Sequence, residues 1–478
     1  MILVSSSSSS VENAHVVPTS GIVRNDPYIS INVDPNIIIG SNALSLGFQL
    51  SFGSLGAFQL QSELRQLARD ASFKLVRIND IQKSQWIPTL MPCTQFNETT
   101  RTGIYDWTAV DDIVGKILEI QAEPLVCLGA FTDGIAMVPP GMFIDPVVNL
   151  PNPESYAAYG LEWIKHFKSK GWNVRYYEIF NEPWSYFGWE PVNFSKLNDY
   201  MLLFNAAANN MRQENSNLVI SFDFICRKPV MDYWLTHGGA HVDSLNFHKY
   251  DAWIVGQRTD AEMFARADSD YFGTWPMGRS VVEARQVWLN ARGKSLPLIC
   301  SESNFDAAYA NGTDTKIQQV AGAVWLAMVM RNEILAGISY HIYFELSGNY
   351  YKDSYGFGMI NYMGENGFAP WYPYYVQKML GSNLSPNDTL VETRCSSEDL
   401  RTLGWVHNGI LDVLLICKTD QSVTVNMQGV GDQPLNIFKI DNSIPWENAR
   451  IQTGAIASTE PLVLNGYTVA LIQEPVPQ

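Results

Sequence analysis

The sequence predicts an α/β protein, a (β/α)8 TIM barrel carrying a C-terminal antiparallel β-sandwich domain. Three observations lead there. Between about residues 45 and 378, eight short apolar runs alternate with longer segments of helical periodicity, the pattern of parallel strands joined by crossover helices. The first run continues as "LGFQLSFGSLG", without the G-x-G-x-x-G turn of a dinucleotide-binding open sheet, so the closed barrel fits better. After about residue 379 strand-like runs follow one another with only turn residues between them.

Residues 1–26 contain an unbroken serine run at 5–10 and read as a flexible tail. Its four leading apolar residues are too few for a signal core or a membrane span. The alternating run "YISINVD" at 28–34 precedes the barrel. Within an expected catalytic domain of 27–378, residues 27–40 are expected to join the sandwich or to plug the barrel bottom. The eight strand runs are 46–51, 73–79, 124–130, 174–180, 218–223, 244–250, 296–301 and 337–344. Helices are expected at 58–72, 106–122, 153–170, 195–213, 280–292 and 315–335. The helix at 153–170 is the clearest. Asn152 is its N-cap, Pro153 opens it, and Tyr156, Tyr159, Trp163, Ile164 and Phe167 form one stripe. Residues 379–478 form the accessory domain, with runs such as "LGWVHNGILDVLLICK" and a hairpin turn at His407-Asn408-Gly409.

The formal net charge is −16, which argues against nucleic acid, since phosphate binding needs a basic surface. No run of 18 apolar residues is present, so no membrane span is expected. Aromatic residues make up 12%, a supply that suits the flat apolar faces of sugar rings. The sequons at Asn97, Asn193, Asn311 and Asn387 lean weakly towards an extracellular or cell-surface location. Six cysteines lie far apart without a C-x-x-C pair, so no zinc or redox centre is expected. Cys127 and Cys300 fall in core strands, whereas Cys395 and Cys417 are candidates for a disulfide.

The chemistry starts from "YYEIFNEPW" at 176–184. Glu182 ends the fourth strand run, and the carboxyl end of a barrel strand is where catalytic groups sit. Glu178, inside the run, reads as a buried and paired structural carboxylate. Glu302, in "LPLICSESNFD", ends the seventh run. Strands four and seven are not neighbours in a barrel, so two carboxyl groups would face each other across its mouth. Glycoside hydrolysis with retention uses such a pair at about 5–5.5 Å.

An Asn-Glu-Pro ending strand four and a glutamate ending strand seven resemble clan A of the retaining glycoside hydrolases over roughly residues 45–378. The C-terminal domain resembles the accessory module of several families of that clan, family 39 among them. The resemblance implies Glu182 as general acid/base, Glu302 as nucleophile, and Asn181 as the contact to the sugar 2-hydroxyl. It implies that Arg77, ending strand two in "LVRIND", keeps the nucleophile ionised. It places His248 and Tyr250 of "LNFHKY" beside that nucleophile. Strand eight, "ISYHIYFEL", lacks the tryptophan platform usual in the clan. That role passes to Tyr343 or to a loop tryptophan among Trp86, Trp184, Trp189, Trp275 and Trp371. No cofactor is expected. The expected substrate is a β-linked oligo- or polysaccharide, with endo-β-1,4-glucanase action foremost and exo-acting β-xylosidase action second. A non-catalytic carbohydrate-binding protein on a degenerate barrel is the alternative from another class.

Overall fold

The computed structural model describes residues 28–81, 89–189, 191–252, 259–268, 281–306, 316, 318–348, 357–362 and 367–475. The serine-rich segment 1–26, Trp86, Trp275 and Asn311 lie outside them.

The eight expected runs are the eight strands of one parallel barrel. In chain order they are Ser45–Leu50, Leu75–Asn79, Glu123–Thr132, Tyr176–Asn181, Val219–Ser221, Leu245–Ala252, Leu298–Asp306 and Tyr340–Tyr343. Strand eight pairs with strand one, and a single parallel bridge between Asp223 and Asn246 joins strands five and six. The helix Pro153–Ser169 begins as expected, with the Asn152 side chain accepting from the amides of Glu154 and Ser155. The helix expected at 58–72 is instead two, Phe52–Leu60 and Ser62–Asp70, parted by an extended Gln61. Helices Lys228–Thr236, Asp260–Ala267 and Tyr372–Asn383 were not expected. The first two are short, and their apolar spacing is too brief to stand out; Tyr372–Asn383, as long as helices that were expected, falls where the barrel pattern gives way to the C-terminal strands.

The barrel interior is layered by strand alternation. A lower apolar layer contains Leu75, Leu125, Tyr176, Ile299 and Ile342. Two residues further along the same faces the layer turns charged, with Arg77 above Leu75 and Glu178 above Tyr176. Alternation breaks at two places. In strand seven Phe247 is opposite Cys300 but His248 is opposite Glu302, so Ser301 is an extra, bulged residue. Without that bulge Ile299 would face inward and Glu302 outward; with it Glu302 faces the mouth. In strand four Phe180 has φ 63°. Its ring turns out to Tyr156 and Tyr200, and Asn181 then points in.

Gly129 accommodates that second break. It has φ +82°, and a Cβ there would lie 2.8 Å from the Phe180 ring. Gly129→Ala is expected to destabilise the fold by about 1–3 kcal/mol through strain and overlap, read as a lower urea midpoint. An unchanged midpoint would show that the ring simply moves aside.

The second domain is a nine-stranded sheet wrapped around Ile31, Val33, Val391, Val413, Leu415 and Ile472. The N-terminal strand Ile29–Ser41 belongs to it, antiparallel to Thr389–Cys395 and parallel to Val423–Gln428. The domain is therefore antiparallel except for this one pair, because a strand from the other end of the chain inserts between two C-terminal ones. The disulfide candidate is corrected. Cys395 and Cys417 are free thiols, on strands separated by Leu400–His407. Two strand spacings are roughly 10 Å, beyond the ~7 Å Cα limit of a disulfide. Arg401 and Lys418 of this domain bind Asp268 of the barrel domain, and Trp405 Nε1 donates to the Asn383 carbonyl. Among the described residues no helix is long and apolar enough to cross a membrane.

Candidate active site

The site begins with Arg77, a guanidinium with no exposed surface inside the barrel. Its Nε donates to Glu178 Oε2 at 2.6 Å, and Nη1 donates to Glu302 Oε1 at 2.5 Å and Gln49 Oε1 at 2.7 Å. Its Nη2 donates to Asn181 Oδ1 at 2.7 Å. Glu178 takes its other bond from Asn246 Nδ2 at 2.7 Å. Glu178 is thus buried and paired, and one planar cation orients four strands. Burial works against the Arg77 charge, but Glu178 and Glu302 outweigh it and hold the group firmly protonated. Arg77→Met leaves two carboxylates buried without their counter-charge. A loss of about 3–5 kcal/mol is expected, measured by denaturant unfolding. A loss under 1 kcal/mol would mean the carboxylates are held by other means.

Glu302 is 6% exposed. Tyr250 Oη donates to its Oε2 at 2.7 Å, and His248 Nδ1 lies 3.4 Å from the same oxygen. Burial alone would raise its pKa, but His248 and Arg77, with the Tyr250 hydroxyl, hold it below the usual carboxylate range. Glu182 has a different setting. It sits just past strand four at φ 46°, and Pro183 leads into the short helix Trp184–Phe187. Its amide donates to Asp223 Oδ2 at 2.8 Å, which holds the backbone in a conformation an L-residue rarely adopts. His248 Nδ1 lies 3.1 Å from Glu182 Oε1. One ligand atom each of Glu182, His248 and Glu302 lie within 4.8 Å of one another. The carboxyl groups predicted at the ends of strands four and seven therefore meet over a shared imidazole.

Trp184 is half-buried beside Glu182. It packs edge-on against Trp189 at 5.4 Å and Phe224 at 6.3 Å, and Phe224 in turn meets the His248 ring at 5.0 Å. These rings form one aromatic cluster beside Glu182, with the Arg227 guanidinium over the Trp189 ring at 4.6 Å. The platform expectation for Tyr343 is corrected. Strand eight turns Ile342 inward and Tyr343 outward, into the packing beneath the helices, where it is 1% exposed. Phe344, half-buried, stands near the site instead, 6.4 Å from the Tyr250 ring. Trp371 is also buried, at 1% exposure, and offers no free face.

Three neighbours of the site were not anticipated. Gln49, next to last in strand one, helps to hold Arg77. Glu345 follows strand eight, where Ser51 Oγ and Ser54 Oγ donate to it at 2.6 and 2.7 Å; burial pushes this carboxyl up to about 7. Asp223 follows strand five, fully buried, 3.1 Å from His248 Nε2. The position rule that found Glu182 also applies to Asp223, which ends the run 218–223.

No protein-family model and no curated protein matches the sequence. Solved structures of similar fold are found. An α-L-arabinofuranosidase from Thermotoga maritima, in complex with arabinose, superposes with TM-score 0.65 at 12% identity, over 94% of this chain and 100% of that one. A monomeric β-xylosidase from Caulobacter crescentus gives 0.61 at 11%, over 94% and 100%. CelM2, a bifunctional glucanase-xylanase from a metagenome library, gives 0.59 at 12%, over 95% and 100%. At these identities what is shared is the fold, a TIM barrel with a C-terminal β-domain.

Proposed function

We propose that this chain is a retaining glycoside hydrolase acting on a β-linked oligo- or polysaccharide. The observation that carries the reading is the pairing of Glu182 and Glu302 across the barrel mouth in unlike environments, with one carboxyl oxygen of each within 4.8 Å of the other, compatible with the ~5–5.5 Å spacing of retaining pairs. Glu302, kept anionic, attacks the anomeric carbon. The bond to the leaving oxygen breaks as Glu182 gives that oxygen its proton, and a glycosyl ester on Glu302 remains. Glu182, now a carboxylate, takes a proton from water; the water oxygen bonds to the anomeric carbon and the ester bond breaks. Asn181, its carbonyl end held by Arg77, offers its amide N–H to the sugar 2-hydroxyl.

Half-buried Trp184, beside Glu182, is the residue placed to stack a second sugar on the leaving-group side. This favours endo-β-1,4-glucanase action on plant-type glucan. The similarity in fold to two β-xylosidase structures from Caulobacter crescentus supports a second reading, exo-acting β-xylosidase. Incubation with carboxymethylcellulose, xylan and xylo- and cello-oligosaccharides, with products sized, decides. An oligosaccharide ladder from glucan supports the first reading. Xylose alone supports the second. No product from any of them overturns the hydrolase assignment.

A further inference from the structure

We propose that Asp223 is a positioning residue that fixes the imidazole of His248 between the two glutamates and thereby sets where the exchangeable proton is held. The inference rests on the hydrolase reading for its kinetic consequence, but its geometric content is independent of it. Strand five, Val219–Ser221, is the shortest of the barrel, and the bridge between Asp223 and Asn246 pulls its end against strand six. One oxygen of Asp223 then does two things. Oδ2 accepts the Glu182 amide at 2.8 Å and faces His248 Nε2 at 3.1 Å. Backbone and imidazole are referenced to the same atom.

A carboxylate beside a ring nitrogen favours the proton there; Nε2 lies at ion-pair distance from Asp223 Oδ2 without a hydrogen bond to it, so the coupling is one of charge. Below its titration midpoint the ring carries a proton on each nitrogen, with Nδ1 hydrogen-bonded to Glu182 Oε1 at 3.1 Å and 3.4 Å from Glu302 Oε2, and Nε2, beside Asp223, is the nitrogen that keeps its proton above the midpoint. His248 has no exposed surface, so no bulk water can substitute for Asp223. The Phe224 ring flanks it at 5.0 Å and the Tyr250 ring at 6.4 Å. The charged groups around the ring are Glu182 just past strand four, Asp223 after strand five and Glu302 on strand seven. Arg77 and Glu178 lie behind them, and Tyr250 contributes a neutral hydroxyl. Burial lowers the imidazole's proton affinity, yet Glu302, Asp223 and Glu182 outweigh it and raise the ring to about 9. Burial likewise raises Asp223 to about 8 against the pull of His248. The pair and its carboxyl neighbours titrate together.

Removing the Asp223 charge while keeping its shape separates positioning from mere packing. Asp223→Asn still accepts the Glu182 amide. Loss of an adjacent negative charge lowers the proton affinity of the ring and its partners by about 1–3 pH units. With 4-nitrophenyl β-cellobioside and 4-nitrophenyl β-xyloside as probes, the alkaline limb of kcat/KM is expected to move down by that amount. A merely structural residue would lower activity without moving the limb. In parallel, 15N-histidine spectra of the whole chain, assigned with His248→Gln, read the ring directly. The wild-type ring is expected to carry its proton on Nε2 above its titration midpoint, and Asp223→Asn to lower that midpoint by about 1–3 units. An unmoved midpoint and limb overturn the proposal. A wild-type proton on Nδ1 alone overturns it too, even if Asp223→Asn fails to fold. If the wild-type chain cleaves neither probe, the hydrolase reading fails while the spectra still decide the role of Asp223.

Discussion

Glu302→Ala is expected to lower kcat on the order of 10⁵-fold or more, the scale seen when a covalent nucleophile is deleted. That corresponds to about 7 kcal/mol of lost transition-state stabilisation. The fold should survive, since Arg77 keeps Glu178, Gln49 and Asn181 as partners. Sodium azide should restore part of the turnover. The anion enters the space left by the carboxylate and attacks the anomeric carbon once, giving a glycosyl azide of inverted configuration. NMR of that product settles the stereochemistry. Activity within tenfold of wild type, or an azide product of retained configuration, would remove Glu302 from the nucleophile role. The wild-type acid limb should also fall below the ordinary carboxylate range, because the fixed charges of His248 and Arg77 hold Glu302 ionised.

Glu182→Ala has the second largest expected effect, a loss of about 10²–10⁴-fold, the usual worth of general acid–base catalysis. Here the leaving group matters. A nitrophenolate departs without protonation, so aryl glycosides should lose less than oligosaccharides, whose alkoxide leaving groups need the proton. The glycosyl-enzyme on Glu302 should accumulate, because no base activates water. Azide should capture it with net retention, opposite to the outcome for Glu302→Ala. An equal loss for aryl glycosides and cello-oligosaccharides would show that Glu182 does not protonate the leaving oxygen.

Much of this molecule was legible from local pattern. Eight apolar runs became eight parallel strands within a few residues of their expected ends, because a strand buried on both faces must be apolar along its length. Glu182 and Glu302 were found from position, as ionisable residues at the carboxyl ends of such runs. Arg77, His248 and Tyr250 followed from the same rule together with the family resemblance. Tyr343 shows where the rule stops. Which of two adjacent aromatics faces the mouth depends on strand parity, and parity is set by pairing with neighbouring strands. Glu302 makes the same point in reverse. Counting alternate residues from Ile299 turns it away from the site, and only the bulge at Ser301 brings it round. The short helices and the split after Leu60 were missed because a few residues carry too little periodic signal.

The sequence by itself determined the strand count, the domain order and the identity of the two carboxyl residues, since these follow from hydrophobic spacing and from charge placed where burial would otherwise exclude it. The tertiary structure decided what those carboxyl groups are. Arg77 from strand two and Tyr250 from strand six reach Glu302, while Asp223 from strand five grips the backbone of Glu182. His248, also from strand six, stands between both. Proton affinity depends on which charges lie within a few ångströms, and residues far apart in the chain acquire those neighbours only when the barrel closes.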